Sequence, residues 1–469
     1  MGCISNHEGP MLPPHRRFIA LLLTIALLLV SCGAPPAPDE QPPAGLETTY
    51  DVTYTDETRV IEPSEAEAQH VSTSEDGRTF RFRPTDSLRG LEPGNVAIFG
   101  GIGFGRVSAV REEGDELVID TAEATLGEAI QDGEIGWTLP VRWDQLPAAS
   151  YREAGETIAT AFAEQAAGDI VLAMAVDAPT PDPEITLADN GLTEGLTYSG
   201  KVQGFDVTVS LNPTAERLNI DLKASHALPG GTKMEATVTG WVSGFTQETF
   251  LRYEDSTPTQ LTSQALGVES ELLLEWHAAK LGEALTEVSS FKLPVSLPIP
   301  FLIGPIPVVI KVGANLQVVP ELSVPDASSG GSYQVKYRSD QGLEVSGGSS
   351  SALGKLIESD IGVAGETVSA GWGVVAFALG VEFPRLELSF FGTVSVFITL
   401  KTYSTSQFTQ GTTLSSDIPP CQMGTTSLAA YAGYALKLLG FTIGEKTEEL
   451  WKTDYEKFKD DRPCSLTGE

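Results

Sequence analysis

Residues 291–324, FKLPVSLPIPFLIGPIPVVIKVGANLQVVPELSV, constrain the fold more than any other stretch of the chain. Pro294, Pro298, Pro300, Pro305 and Pro307 remove backbone donors and clash with a helical path, so the first half must run extended or turn. From Val308 the side chains alternate. Val308, Ile310, Val312, Ala314, Leu316 and Val318 share one face, with Lys311, Asn315 and Gln317 on the other, the period of a half-buried strand. The segment reads as the spine of a large β-rich domain.

Other stretches repeat this pattern. Residues 205–211, 218–224 and 233–242 alternate cleanly, predicting hairpins with one wet face and one buried face. Residues 374–383 and 386–400 predict long apolar strands. Earlier in the chain, short strands at 79–83, 96–99 and 106–110 suggest a small barrel or sandwich. Helices are expected at 148–167, where Ile158, Phe162 and Ala166 have helical spacing, and, as a short one, at 121–130. Residues 270–288 lean towards a helix. The ends of the chain, 427–439 and 446–458, read as two helices, the first apolar and the second amphipathic.

The expected fold class is therefore mainly β, a β-rich α+β chain. Its parts are a signal peptide at 1–31, a Pro-rich tether at 32–48, a small β domain at 49–147, a helix and Pro-rich connection at 148–183, and a larger antiparallel β domain at 184–469 closed by C-terminal helices.

The N-terminus carries the most specific motif. His15, Arg16 and Arg17 precede an apolar run from Phe18 to Val30, too short for a comfortable membrane span and long enough for a signal segment. The run ends in Leu29-Val30-Ser31-Cys32, followed by Gly33 and the proline-rich GAPPAPDEQPPAG, a spacer with no core-forming residues. Hydrophobic run, lipobox and tether resemble a bacterial lipoprotein. The resemblance covers this segment alone and implies that Cys32 is the lipid-modified first residue of the mature protein, anchored outside the cytoplasm. Gly33 lacks the charge of an inner-membrane retention signal, which points to the outer membrane. Translation can begin at Met1 or Met11; Met11 leaves the basic segment MLPPHRR in front of the apolar run.

In an oxidising compartment the two remaining exported cysteines, Cys421 and Cys464, are expected to form a disulfide. Closing a loop of about forty residues is worth about 3–4 kcal/mol in the loop-entropy account.

Chemistry is harder to find. The formal net charge of -33 excludes nucleic acid as a partner, because phosphate binding needs a basic face. Acidity admits a divalent cation, but no D-x-[DN]-x-[DN]-G loop occurs, and no cofactor is expected. His70, His226 and His277 have no zinc-site spacing. The glycines of residues 100–105 match no phosphate loop and lead into a strand, so a hairpin is expected there. Ser289 and Lys292 have the S-x-x-K spacing without its companion motifs, and no G-x-S-x-G elbow occurs. Trp137, Trp143, Trp241 and Trp372 read as core or interface residues.

The expected function is accordingly non-enzymatic: a membrane-anchored envelope protein with a structural or binding role, held by its lipid and meeting another envelope protein. A carrier of a hydrophobic small molecule, its ligand lined by the spine, is the second reading. A glycan-active hydrolase, with two carboxylates from distant strands, is the third.

Overall fold

The computed structural model describes residues 43–74, 76–145, 184–187, 196–202, 204–227, 233–279, 289–322, 328–363, 368–370, 373–410, 421–442 and 445–458. In chain order the first strands are β1 (Glu47–Tyr54), β2 (Thr58–Ile61), β3 (His70–Thr73), β4 (Thr79–Phe82), β5 (Val96–Phe99), β6 (Gly103–Glu113), β7 (Glu116–Ala122) and β8 (Ile130–Val141). Three short helices, Pro63–Gln69, Asp86–Arg89 and Leu126–Ala129, interrupt them. The next strands are β9 (Glu184–Leu187), β10 (Leu196–Val202), β11 (Phe205–Pro213), β12 (Arg217–Ala227), β13 (Lys233–Ser243), β14 (Phe245–Glu254), β15 (Thr257–Ala279), β16 (Ser289–Ile303) and β17 (Ile306–Leu322). The chain continues through β18 (Ser328–Ser346), β19 (Ser349–Val363), β20 (Val368–Ala370), β21 (Gly373–Phe390), β22 (Thr393–Gln410), β23 (Cys421–Tyr434) and β24 (Lys446–Phe458).

These strands make a mainly β protein of curled sheets. The largest sheet is organised by β15. One edge of β15 pairs with β14 along 257–266 and with β13 along 270–278, while its other edge pairs with β18 throughout. β13 and β14 thus lie end to end as one long bent strand. β8 and β1 continue the sheet beyond β14; β12, β11, β10 and β9 continue it beyond β13. The strands at 47–54 and 130–141 therefore belong to the large sheet. The described residues fall in one compact unit, and the connection expected at 148–183 lies outside them.

The spine is a hairpin in the second sheet, whose order is β16-β17-β21-β22-β23-β24. Val308, Ile310, Val312, Ala314 and Leu316 are buried, as their alternation predicts. β16 is an edge strand, and Pro298 and Pro300 share one parity along it, so both missing donors fall on the same side of the strand. Pro320 of β17 lies beyond the last residue paired with β16. The two long sheets share one core, where Trp137 of the first meets Phe301 and Phe390 of the second edge to face at 5.8 and 5.9 Å.

The third sheet, order β2-β5-β6-β7-β4-β3, is mixed because β2 and β5 run parallel. Phe80, Phe82 and Phe99 pack within it at ring distances of 4.8 to 6.4 Å. β5 is buried on both faces: Ala97 and Phe99 join this small core, while Val96 and Ile98 join the large one. The glycine run at 100–105 is the β5–β6 hairpin, with Gly101 at φ +75. Hairpin tips of the second sheet meet the small sheet here. Gly101 N–H donates to Pro305 O at 3.1 Å, and Phe104 stacks on Phe391 at 5.3 Å.

Three expected helices are corrected. Residues 427–439 and 446–458 are not the helices that were to close the chain: β23 ends at Tyr434 and a turn follows, and 446–458 is β24. β23 is flanked on both edges, and its Leu428, Ala430 and Ala432 are buried, so small apolar residues there serve close sheet packing. In β24 a register shift opposite Ala430 and Tyr431 leaves Leu450 and Trp451 both half-buried. That bulge breaks the period of two and imitates helical spacing. The part of 270–288 that is described, up to Ala279, is the end of β15, with Ser270, Leu272, Leu274 and Trp276 buried in alternation. Within 121–130 only Leu126–Ala129 is helical, closed by a capping box between Thr125 and Glu128. The helix expected at 148–167 lies outside the described residues.

β19 and β24 are the facing edges of the two long sheets, and no ladder joins them among the described residues. Side chains bridge this seam. Tyr434 Oη donates to Ser350 Oγ at 3.0 Å, Ser350 Oγ donates to Glu448, and Lys446 Nζ donates to Glu448 Oε1 at 2.5 Å. The bonds from Lys446 and Ser350 hold the Glu448 carboxyl below its ordinary range. A carboxyl depressed on folding stabilises above its unfolded value and loses that contribution as pH falls through the folded one. Protection of the β19 amides, as exchange rates relative to the intrinsic rates at each pH, is therefore expected to fall on acidification below about pH 4.5, and Glu448→Gln should lower it at neutral pH and remove that part of the pH dependence.

A second expectation concerns the spine. Ile310→Ala empties a fully enclosed site and should cost about 2–5 kcal/mol in urea unfolding. Leu302→Ala, at a residue 44% exposed on the hairpin tip, should cost less than about 1 kcal/mol.

Candidate functional site

Outward-facing side chains of the large sheet fall into rows fixed by strand register. Ile135, Trp137 and Leu139 of β8, Thr249 and Leu251 of β14, and Leu261 and Ser263 of β15 are buried, so their neighbours point away from the core. Across β1, β8, β14 and β15 one row reads Glu47, Thr138, Glu248, Gln264 and the next Thr49, Gly136, Phe250, Thr262. A third reads Asp51, Glu134, Arg252, Gln260.

In the third row every side chain but that of Asp51 is committed to the protein itself. Arg252 Nε and Nη2 donate to Glu134 Oε1 at 3.0 and 2.6 Å, and Gln260 Nε2 donates to Glu344 Oε1 at 3.0 Å. The first two rows are different. Among the described residues, the side chains of Glu47, Thr49, Thr138, Glu248, Thr262 and Gln264 make no hydrogen bond or ion pair to another group.

At the centre of these rows Gly136 contributes no side chain, and the surface sinks into a trough of ≈ 380 Å3. A Cβ at Gly136 would stand 3.2 Å from Thr249 O and 3.5 Å from Phe250 Cδ2, so even one methyl group would begin to fill it. The half-buried ring of Phe250 forms one wall, with the Arg252 guanidinium 5.3 Å from its centroid. Three hydroxyls, two carboxylates, one amide and one aromatic ring thus surround a shallow, open depression. At the sheet spacing of about 4.8 Å, Glu47 and Glu248, which flank Thr138, stand roughly 10 Å apart at the backbone.

Another cleft, of ≈ 450 Å3, lies where the small sheet meets the turns at Ser256 and Gly440. Its Arg106 and Glu128 are engaged with each other and with the backbone. Arg106 donates to Glu128 Oε1 at 2.7 Å and to Gly94 O at 2.9 Å, and Thr125 N–H donates to Glu128 Oε2 at 2.7 Å. Burial pushes the Glu128 carboxyl up, but the Thr125 amide and Arg106 outweigh it and hold the group below its usual range. This cleft is a structural joint.

The residues singled out by sequence do not converge. Cys32 and Cys464 lie outside the described residues; Cys421 begins β23, and its pairing with Cys464 also lies outside them. His70 bonds Thr73 at 2.8 Å, His226 Nδ1 meets Gly204 O at 2.9 Å, and His277 is exposed on β15. Among the described residues no three His, Cys, Asp or Glu side chains come together as a cation site. Ser289 and Lys292 both lie on β16. Trp137 and Trp143 are buried, Trp241 faces outward beneath Arg217 at 3.8 Å, and Trp372 lies outside the described residues.

Sequence reasoning did not find the trough. Its members come from four strands whose pairing is nonlocal, and its centre is a glycine. The one local sign was an outward phenylalanine in the alternating run of β14.

No protein-family model, curated protein or solved structure matches the chain.

Proposed function

We propose that this chain is a lipid-anchored protein of the bacterial envelope whose large sheet binds a hydroxyl-rich ligand, a glycan, without altering it. The observation that carries the reading is the set of six uncommitted polar side chains around Gly136, beside the ring of Phe250. Carboxylates and amides accept and donate to sugar hydroxyls, and an aromatic ring covers the apolar face of a pyranose. An open trough suits a polymer that must enter from the side. The lipobox at Leu29-Val30-Ser31-Cys32 and the following proline-rich tether support display of this face outside the cell membrane, on the outer membrane by the residue after Cys32. On this reading the small mixed sheet, which holds the part of the expected 49–147 module between β2 and β7, plugs one end of the long sheets.

The carrier reading has less support. Leu297, Ile299, Ile303, Val308 and Ile310 of the spine are packed, and the void touching Ile310 is ≈ 10 Å3, room for about one water. Docking through an apolar patch also has little support, because the exposed large apolar residues Val71, Leu302 and Ile357 sit on three different elements.

Two experiments test the proposal. The anchored protein, extracted in detergent, is applied to an oligosaccharide array and then titrated with the glycan it retains. Phe250→Ala and Glu248→Gln are each expected to weaken binding about tenfold, or about 1.4 kcal/mol, with unchanged circular dichroism. Failure to retain any glycan at millimolar concentration sinks the reading, and release of new reducing ends that Glu248→Gln abolishes would turn it into a hydrolase. Separately, radioactive palmitate should label the protein in cells, and Cys32→Ser should lose both the label and membrane fractionation.

A further inference from the structure

Glu47 and Glu248 are the charged residues that line the trough around Gly136, and neither makes a hydrogen bond or ion pair among the described residues. The three rows that cross this face hold the carboxylates of Glu47, Asp51, Glu134 and Glu248 and one cation, Arg252. Arg252 already gives Nε and Nη2 to Glu134, so its charge is met within the protein. No uncommitted cation remains in these rows for an anionic sugar. On the neighbouring strand Glu344, opposite Thr262, adds a further carboxylate. Glu248 is half-buried. Attraction between unit charges is several-fold stronger near a protein surface than in bulk water, so a carboxylate partly stripped of solvent gains most from a positive partner.

That partner is not a bare metal ion. Thr138 stands between Glu47 and Glu248 in their row, and no three His, Cys, Asp or Glu side chains come together as a cation site among the described residues. The same depression also holds the hydroxyls of Thr49, Thr138 and Thr262, the Gln264 amide and the Phe250 ring, which answer the hydroxyls and the apolar face of a sugar. One chemical class meets both sets of groups. Resting on the glycan reading above, we infer that the trough selects a glycan whose sugars carry free amino groups, an oligomer or polymer of unacetylated hexosamine. Ammonium groups on different sugars meet Glu47 and Glu248, which lie two strands apart, and the ring of Phe250 lies against a pyranose face. Acetylating the nitrogen removes its charge, and a uronic acid would set carboxylate against carboxylate. The formal net charge of -33 acts in the same direction over a longer range, drawing in a cationic polymer and repelling an anionic one.

The probes are the β-1,4-linked tetramer of glucosamine, its N-acetylated counterpart, tetragalacturonate and tetralysine. Each is titrated by calorimetry into the full-length protein in detergent, at about 10 mM and about 150 mM salt. The glucosamine tetramer is expected to bind about tenfold more tightly than the acetylated one at the lower salt, and the preference should shrink at the higher salt as exposed charges are screened. Tetragalacturonate is expected to bind most weakly. The double variant Glu47→Gln with Glu248→Gln should lose the preference for the amine, whereas Asp221→Asn, at an exposed charge on β12, should keep it. Binding of a glycan with no preference for the amine, or tighter binding of the acetylated or the anionic oligomer, overturns the inference and leaves the glycan reading standing. Tetralysine bound as tightly as the glucosamine tetramer also overturns it, because charge alone would then suffice. Retention of no oligosaccharide at millimolar concentration overturns both.

Discussion

A strand with one greasy face is stable only if something dry lies against that face, and β17 has this problem over most of its length. From Val308 to Leu316 every second side chain is shut off from water. Two curled sheets answer it together. The first supplies Trp137 and the residues around Leu251 and Leu261; the second supplies the spine and its neighbours on β21 and β22. Burying a Val or Ile side chain is worth about 1.5–3 kcal/mol, so a slip of one residue in β17 would forfeit the whole row at once. Register in every other strand of the core follows from that penalty.

Closure of the ends is a separate matter, and the small sheet serves it. β5 has no wet face, because one side completes the aromatic cluster of Phe80, Phe82 and Phe99 and the other enters the large core. Hydrogen bonds from Gly101 to Pro305 and from Leu126 N–H to Leu438 O fasten turns of the second sheet to the same region. Folding of the small sheet and of the long sheets is thereby coupled.

Local pattern made the strands of the core legible. The alternation at 205–211, 218–224 and 308–316 survives in β11, β12 and β17 residue by residue. It failed where parity changed. The bulge that leaves Leu450 and Trp451 on the same side of exposure, and the alanines of β23, looked helical because no local signal separates close sheet packing from a helix face. Topology was illegible for a deeper reason: the branching at β15 joins residues 257–279 to partners both near and far in sequence. The same nonlocality hid the trough. Gly136 and Phe250 are 114 positions apart in the sequence and directly opposite one another in the sheet.

β1 is the first strand of the compact unit and pairs with β8 from Glu47↔Thr138 to Tyr54↔Ile130, with no strand paired to its other edge among the described residues. The proline-rich segment enters at its N-terminal end. Tension transmitted along that segment and parallel to the strand would load the ladder bonds of β1 together, in shear, rather than opening them one by one. On the proposed anchoring, pull along the segment would meet this sheet edge in its mechanically strong direction, and the rows that face outward on β8, β14 and β15 would keep their spacing.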